Sequence, residues 1–178
     1  MSKDKLNRIE EAFSKNEWSS EISELLEDIK DDSPKLIIPF ISKALSNLSN
    51  EKWVLEALRS VPYVSKFSEF QDQKEKINDL LPQIFKKFDN LVIRETCVII
   101  RGNLSSWPDT FLRSVILTEN ASSVKMFAFK SILVELDLPE SVVDNETERV
   151  ANGEIEPDFN EINRITQNRA DGKYDNFK

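Results

Sequence analysis

The sequence predicts an all-α fold of antiparallel helix hairpins, with about eight to ten helices in one domain spanning residues 1–178. Three observations lead there. Apolar residues return at steps of three and four almost everywhere, as in Leu6, Ile9 and Phe13 and again in Ile22, Leu25, Leu26 and Ile29. That spacing lines one stripe of a helix. The chain holds three glycines, far below the usual ~7%, and the tight turns that join β-strands depend on that residue. Short polar breaks of Ser, Asn and Asp separate the periodic segments, so each helix folds back on the one before it. With 39% apolar residues, 31% charged residues and 11 phenylalanines the chain has the material for a core. A domain of roughly 150 residues buries about 68–70% of its unfolded surface. Residues 1–32 read as an N-terminal helical cap, 33–136 as about three hairpins, and 137–178 as an acidic C-terminal cap and tail. An irregular helical bundle is the alternative packing of the same elements.

The first hairpin pairs the Leu6–Ile9–Phe13 helix with "SSEISELLEDIKDD". Ser20 is the expected N-cap of that second helix. The helix closes in acids, which its dipole disfavours at a C-terminus, so the acids point to a purpose other than helix stability. "SPKLIIPFISKALSN" starts the next hairpin with Ser33 as N-cap and Pro34 at the first helical position, where a missing N–H costs nothing. After the break "SNLSN" comes "NEKWVLEALRSV", and "PYVSKFSEFQDQ" over 62–73 reads as a looser connector with a short helix carrying Phe67 and Phe70. Lys74 to Phe88 is one helix bent by Pro82, and "DN" ends it. From Leu91 a second helix lines up Ile93, Cys97, Ile100 and Leu104, with Glu95 and Gly102 opposite and Arg94 and Arg101 on a flank. "SWPDTFLRSVILTEN" and "ASSVKMFAFKSILVEL" repeat the plan, the latter so apolar that it belongs at the centre of the core. The tail adds a short helix with Phe159, Ile162 and Ile165 on one face. Trp18, Trp53 and Trp107 are expected to anchor packing.

The stretch "DLLPQIFKKFDNLVIRETCVIIRGNL" resembles a HEAT repeat, the hairpin unit of α-solenoids. Leu80, Leu81 and Pro82 match the proline that follows two apolar residues in that family's first helix. Asp89 and Asn90 match its polar turn, and Ile93, Arg94 and Cys97 match the apolar, basic and small positions of its second helix. Val124, Lys125 and Ala128 repeat the last pattern behind Trp107 and Pro108. "LIIPF" with Pro39, then Trp53 and Ala57, gives a third copy in which Val54 replaces the basic residue. One such hairpin cannot bury both its faces, so the resemblance implies stacked neighbours with polar ends. It also implies that second helices line a binding surface, which nominates Glu56, Arg59, Glu95 and Arg101.

Charge is uneven along the chain. Residues 1–34 carry 5 basic and 10 acidic side chains, residues 35–136 carry 14 and 11, and residues 137–178 carry 5 and 11. Glu24, Glu27, Asp28, Asp31 and Asp32 form one acidic tract, four of them at helical spacing. The other runs from Asp137 to Asp158 and includes Asp144, Glu146 and Glu148. Such tracts repel nucleic acid and attract basic protein surfaces.

Catalysis finds little support. The sequence has no histidine, the commonest general base and metal ligand. Cys97, the single cysteine, sits on an apolar stripe with no base to activate it and forms no intrachain disulfide. No acidic window has the alternation and central glycine of a calcium loop. No cofactor, metal site or catalytic residue is therefore expected. Apolar runs stop far short of the ~20 residues that cross a bilayer, and the start lacks the pattern of a secretory signal; a cytoplasmic protein is expected. The Asn-x-Ser/Thr triplets at Asn47, Asn103, Asn120 and Asn145 are then coincidental.

The sequence thus predicts a non-catalytic binding protein with a basic protein partner, and no nucleic-acid or membrane partner. Its small size and acidity are similar in character to bacterial immunity proteins, which neutralise secreted toxins. A scaffold taking a peptide or helix is the first alternative. Nucleic-acid binding through Lys66, Lys74, Lys76, Lys86, Lys87, Arg94 and Arg101 is the second.

Overall fold

In a computed structural model describing residues 2–104 and 109–175, every regular element is a helix. These are α1 (Ser2–Ser14), α2 (Ser20–Asp32), α3 (Ile38–Ser46), α4 (Glu51–Val64), α5 (Ser68–Lys87), α6 (Leu91–Leu104), α7 (Thr110–Thr118), α8 (Ser122–Glu135), α9 (Glu140–Ala151) and α10 (Phe159–Ala170), with a 3-10 turn over Pro34–Ile37 before α3. The all-α expectation holds among the described residues. The chain divides into two compact units, Met1–Ile100 and Arg101–Lys178. Trp107 and Pro108 lie outside the described residues.

Helix ends follow the local chemistry, with one shift, one division and two extensions. Ser19, not Ser20, caps α2, its hydroxyl accepting from the Ile22 N–H at 3.3 Å. Ser33 makes no side-chain cap, and the expected single helix from Pro34 divides into the 3-10 turn and α3. Pro39 explains the division: it has no N–H to return to the Lys35 carbonyl, which accepts from Ile38 instead. The connector expected over residues 62–73 is mostly helix. α4 continues through Pro62 because Val61 and Val64 beside it are buried, and α5 begins at Ser68 because Phe70 is fully buried in its first turn. α1 ends with Asn16 at φ 56°, and α9 and α10 end with Gly153 and Gly172 at φ 71°. In each case the next N–H reaches back five residues, from Glu17 to Ala12, Glu154 to Arg149 and Lys173 to Asn168. This left-handed cap satisfies carbonyls that the helix end would otherwise strand.

In the first unit, α1 packs on α2, α3 on α4, and consecutive hairpins meet helix to like helix: α2 against α4 and α3 against α5. Phe13, Phe40, Trp18 and Trp53 cluster edge to face, with centroid separations of 4.8 to 5.7 Å. Such pairs add about 0.5–1.5 kcal/mol each beyond the area they bury. The turns are stitched together as well. Asn50 Nδ2 donates to Asn16 Oδ1 at 3.0 Å and Asn90 donates to Glu51 Oε1, so the starts of α4 and α6 are tied side by side. In the second unit, α8 packs against α7 and α9, as its nearly all-round apolar sequence predicts. Ile162 and Ile165 of α10 are buried as expected, and Arg113 lies 5.1 Å over the Phe159 ring.

The second helices of the hairpins share one burial register. α4, α6 and α8 are each 14 residues long and α2 is 13. Their third residues, Ile22, Trp53, Ile93 and Val124, are buried, and so are their seventh, Leu26, Ala57, Cys97 and Ala128. In α2, α4 and α6 the second, ninth and thirteenth residues are exposed: Glu21, Asp28 and Asp32; Lys52, Arg59 and Tyr63; Val92, Ile99 and Asn103. The stripe Ile93, Cys97, Ile100 and Leu104 is buried as the spacing predicts. Gly102, expected opposite that stripe, is also buried: a Cβ there would lie 2.4 Å from Ser131 Cβ, so the glycine lets α6 and α8 approach.

Candidate interaction surface

The predicted acids separate into those left on the surface and those consumed inside. Glu24, Glu27, Asp28, Asp31 and Asp32 are all exposed along α2. Lys5 of α1 pairs with Asp28 at 2.8 Å and reaches Asp32 at 3.8 Å. Arg8 pairs with Glu21. Glu24 and Asp31 make no ion pair among the described residues, so the face keeps uncompensated negative charge.

Between α2 and α4 the structure brings three of the nominated residues together. Lys30, 3% exposed, binds Glu27 Oε1 at 2.6 Å and Glu56 Oε2 at 3.3 Å. Arg59 donates to Glu56 Oε1 at 2.9 Å, and Lys30 Nζ lies 5.7 Å over the Tyr63 ring. Taking Lys30 and Glu56 out of water is unfavourable, and the added carboxylate, guanidinium and ring face offset part of it. Glu56, nominated as a surface residue, is therefore 6% exposed and serves as the link between two stacked helices. Arg59 remains half exposed above it.

Other nominated positions also turn inward. Arg101 donates to Asp109 Oδ2 at 2.7 Å, and Asp109, 4% exposed, caps α7 by accepting from the Leu112 N–H at 2.8 Å. Glu146 is 4% exposed and receives Arg149 and Arg164, each at 2.8 Å. Asp144 pairs with Lys130 at 3.0 Å, and Glu154 pairs with Arg149 at 3.5 Å. Glu148 is exposed without an ion pair among the described residues, and Glu95 is half-buried. The C-terminal tract that looks densest in the sequence is thus partly neutralised by its own arginines and Lys130, while Glu140, Glu148 and Glu156 stay exposed without an ion pair among the described residues. The basic stripe loses two members in the same way. Arg94 stacks 4.6 Å from the Phe85 centroid beside Asp89, and Arg101 belongs to Asp109.

Chemical groups do not converge on a reacting point among the described residues. Burial pushes the Cys97 thiol up to about 12, which leaves it protonated and unreactive near neutral pH. No three metal-ligating side chains gather among them. A groove of about 580 Å³ between the start of α8 and residues 150–157 is lined by Lys125, Met126, Ile155 and Pro157. It holds no pair of acid and base at bonding distance. No described helix is long and apolar enough to cross a membrane.

Two features were not foreseen. Tyr63, Leu91, Val92 and Ile99 expose large apolar surface on α4 and α6, at 37 to 47%. The signal for them was present, since Val92 and Ile99 fall off the buried stripe by the same count as Lys52 and Arg59. The asparagine stitching of the turns is the other, legible only as an Asn placed directly before each of α4 and α6. Comparisons of the chain with protein-family models, with curated proteins and with solved structures find no match.

Proposed function

We propose that this chain is a non-catalytic protein-binding module that occludes a basic protein partner, in the manner of a cytoplasmic immunity protein covering a toxin. One observation carries the reading: the α2 carboxylates stay on the surface, two of them unpaired among the described residues, while Glu56, Asp109 and Glu146 are buried in internal pairs. A rigid acidic face steers a cationic partner and then fixes its register. The like-to-like helix contacts and the shared burial register support the hairpin-repeat organisation that gives such a face its rigidity. The inert Cys97 thiol supports a role without covalent chemistry.

Affinity capture from the native cytoplasm, followed by mass spectrometry, tests the reading. A basic partner whose association slows at least about tenfold between low and high salt is expected. Capture of no basic protein, or an association rate indifferent to salt, removes it. The exposed Leu91, Val92 and Ile99 favour a second reading, a scaffold that takes an apolar helix. Peptide selection returning uncharged apolar helices supports that one instead.

A further inference from the structure

The outward face of the first unit changes chemistry in order from helix to helix. At its exposed second, ninth and thirteenth positions α2 presents Glu21, Asp28 and Asp32, with Glu24 and Asp31 beside them. The same positions of α4 present Lys52, Arg59 and Tyr63, the last 43% exposed. The second and ninth of α6 present Val92 at 43% and Ile99 at 37%, with Leu91 at 47% next to them. The Glu51–Asn90 and Asn16–Asn50 hydrogen bonds hold the turns in line, and Lys30 joins the middle of α2 to Glu56 and Tyr63 of α4. Because the burial register repeats, equivalent positions on helices that start side by side point the same way.

We propose that this face takes one amphipathic basic helix of a partner protein, its cationic side over α2, its apolar side over Leu91, Val92 and Ile99 of α6, and Tyr63 between them. The proposal rests on the basic-partner reading above and adds the element by which that partner docks. Charge complementarity selects the cationic side, since Glu24 and Asp31 have no ion pair among the described residues. The aliphatic group on α6 selects the apolar side, because a partner that was only cationic would leave it wet. Tyr63 lies between them, an amphipathic ring whose face already accepts Lys30. A partner helix lying along α4 turns one side toward α2 and the other toward α6, and its diameter of about 10–12 Å fits between them. About 14 residues, rising about 21 Å, match the 14-residue length of α4 and α6.

The test uses the full chain and two labelled synthetic peptides of about 14 residues, one with lysines on one helical face and leucines on the other, one a scramble of the same composition. Fluorescence anisotropy is expected to show the amphipathic peptide binding at least tenfold tighter than the scramble. Val92→Glu with Ile99→Glu, and separately Glu24→Lys with Asp31→Lys, should each weaken binding about tenfold or more, whereas Glu148→Lys on α9 should leave it unchanged. All these positions are solvent-facing, and thermal melts confirm that the variants fold. Equal binding of both peptides with no effect of the α6 pair overturns the proposal while leaving a purely electrostatic partner in place. Failure of the amphipathic peptide to bind also overturns it, and the capture experiment then decides separately whether any basic partner exists. Concentration-dependent self-association abolished by the α6 pair overturns it in favour of a second copy of the chain.

Discussion

At Gly102, placed opposite the Ile93–Leu104 stripe, α6 and α8 approach so closely that a methyl group would meet Ser131 Cβ at 2.4 Å. Gly102→Ala should cost about 1–3 kcal/mol of stability from overpacking, read from denaturant melts. Ser131→Gly in the same chain should recover part of it; Ser131→Ala, which keeps the Cβ, should not. Cys97 has a place on the apolar stripe that was plain from spacing. With its thiol pushed up to about 12, it should resist an aromatic disulfide reagent at pH 8 until the chain is unfolded, and early modification would refute the burial. Glu69 is exposed and still perturbed. The Lys35 hydrogen bond, then the Glu69 backbone N–H and the Ser68 hydroxyl, hold its carboxyl at about 2. A depressed carboxylate contributes stability above its ordinary range near 4.5 and loses it as the pH falls toward 2. Lys35→Met should move the Glu69 titration up toward that ordinary range by NMR, with little change in stability because both side chains are half exposed.

At the scale of elements, the turns matter as much as the helices they join. Asn90 accepts from the Val92 and Ile93 N–H groups at 2.9 and 3.2 Å and donates to Glu51, so one side chain caps α6 and ties its turn to the start of α4. Asn90→Ala should cost about 1–2 kcal/mol. Asn90→Ser should recover part of the cap and lose the donor to Glu51, and a melt that places Ser level with Ala would contradict the capping role. Periodicity located α1 to α8 and α10, because the spacing of buried residues follows from the α-helical repeat alone; α9 lies in a tract read only as an acidic cap. The boundaries at Pro39, Pro62 and Ser68 were less legible. A proline states only that one N–H is missing; whether the helix stops or continues depends on how much its neighbours bury, as Val61 and Val64 do in α4.

At the scale of the molecule, the net charge of −8 says that a cation will be attracted and nothing about where. Counted along the chain the C-terminal tract looked strongest, yet Glu146 is spent inside on Arg149 and Arg164, and Lys130 and Arg169 offset Asp144 and Asp137 at the surface. Reversing Glu24 and Asp31 to lysine should therefore slow association with the captured partner several-fold more than reversing Asp144 and Glu148, as measured by stopped flow at low salt. By itself the sequence determined most of the helices, their hairpin punctuation, the shared small and apolar positions of the second helices, and the scarcity of catalytic groups, because each of these is written in residues near one another. Which acids face water was decided only by the tertiary structure. The partners that bury Glu56 and Glu146 come from Lys30, 26 residues away, and Arg164, 18 residues away, and a charged side chain goes inside only where a distant segment brings the opposite charge to meet it.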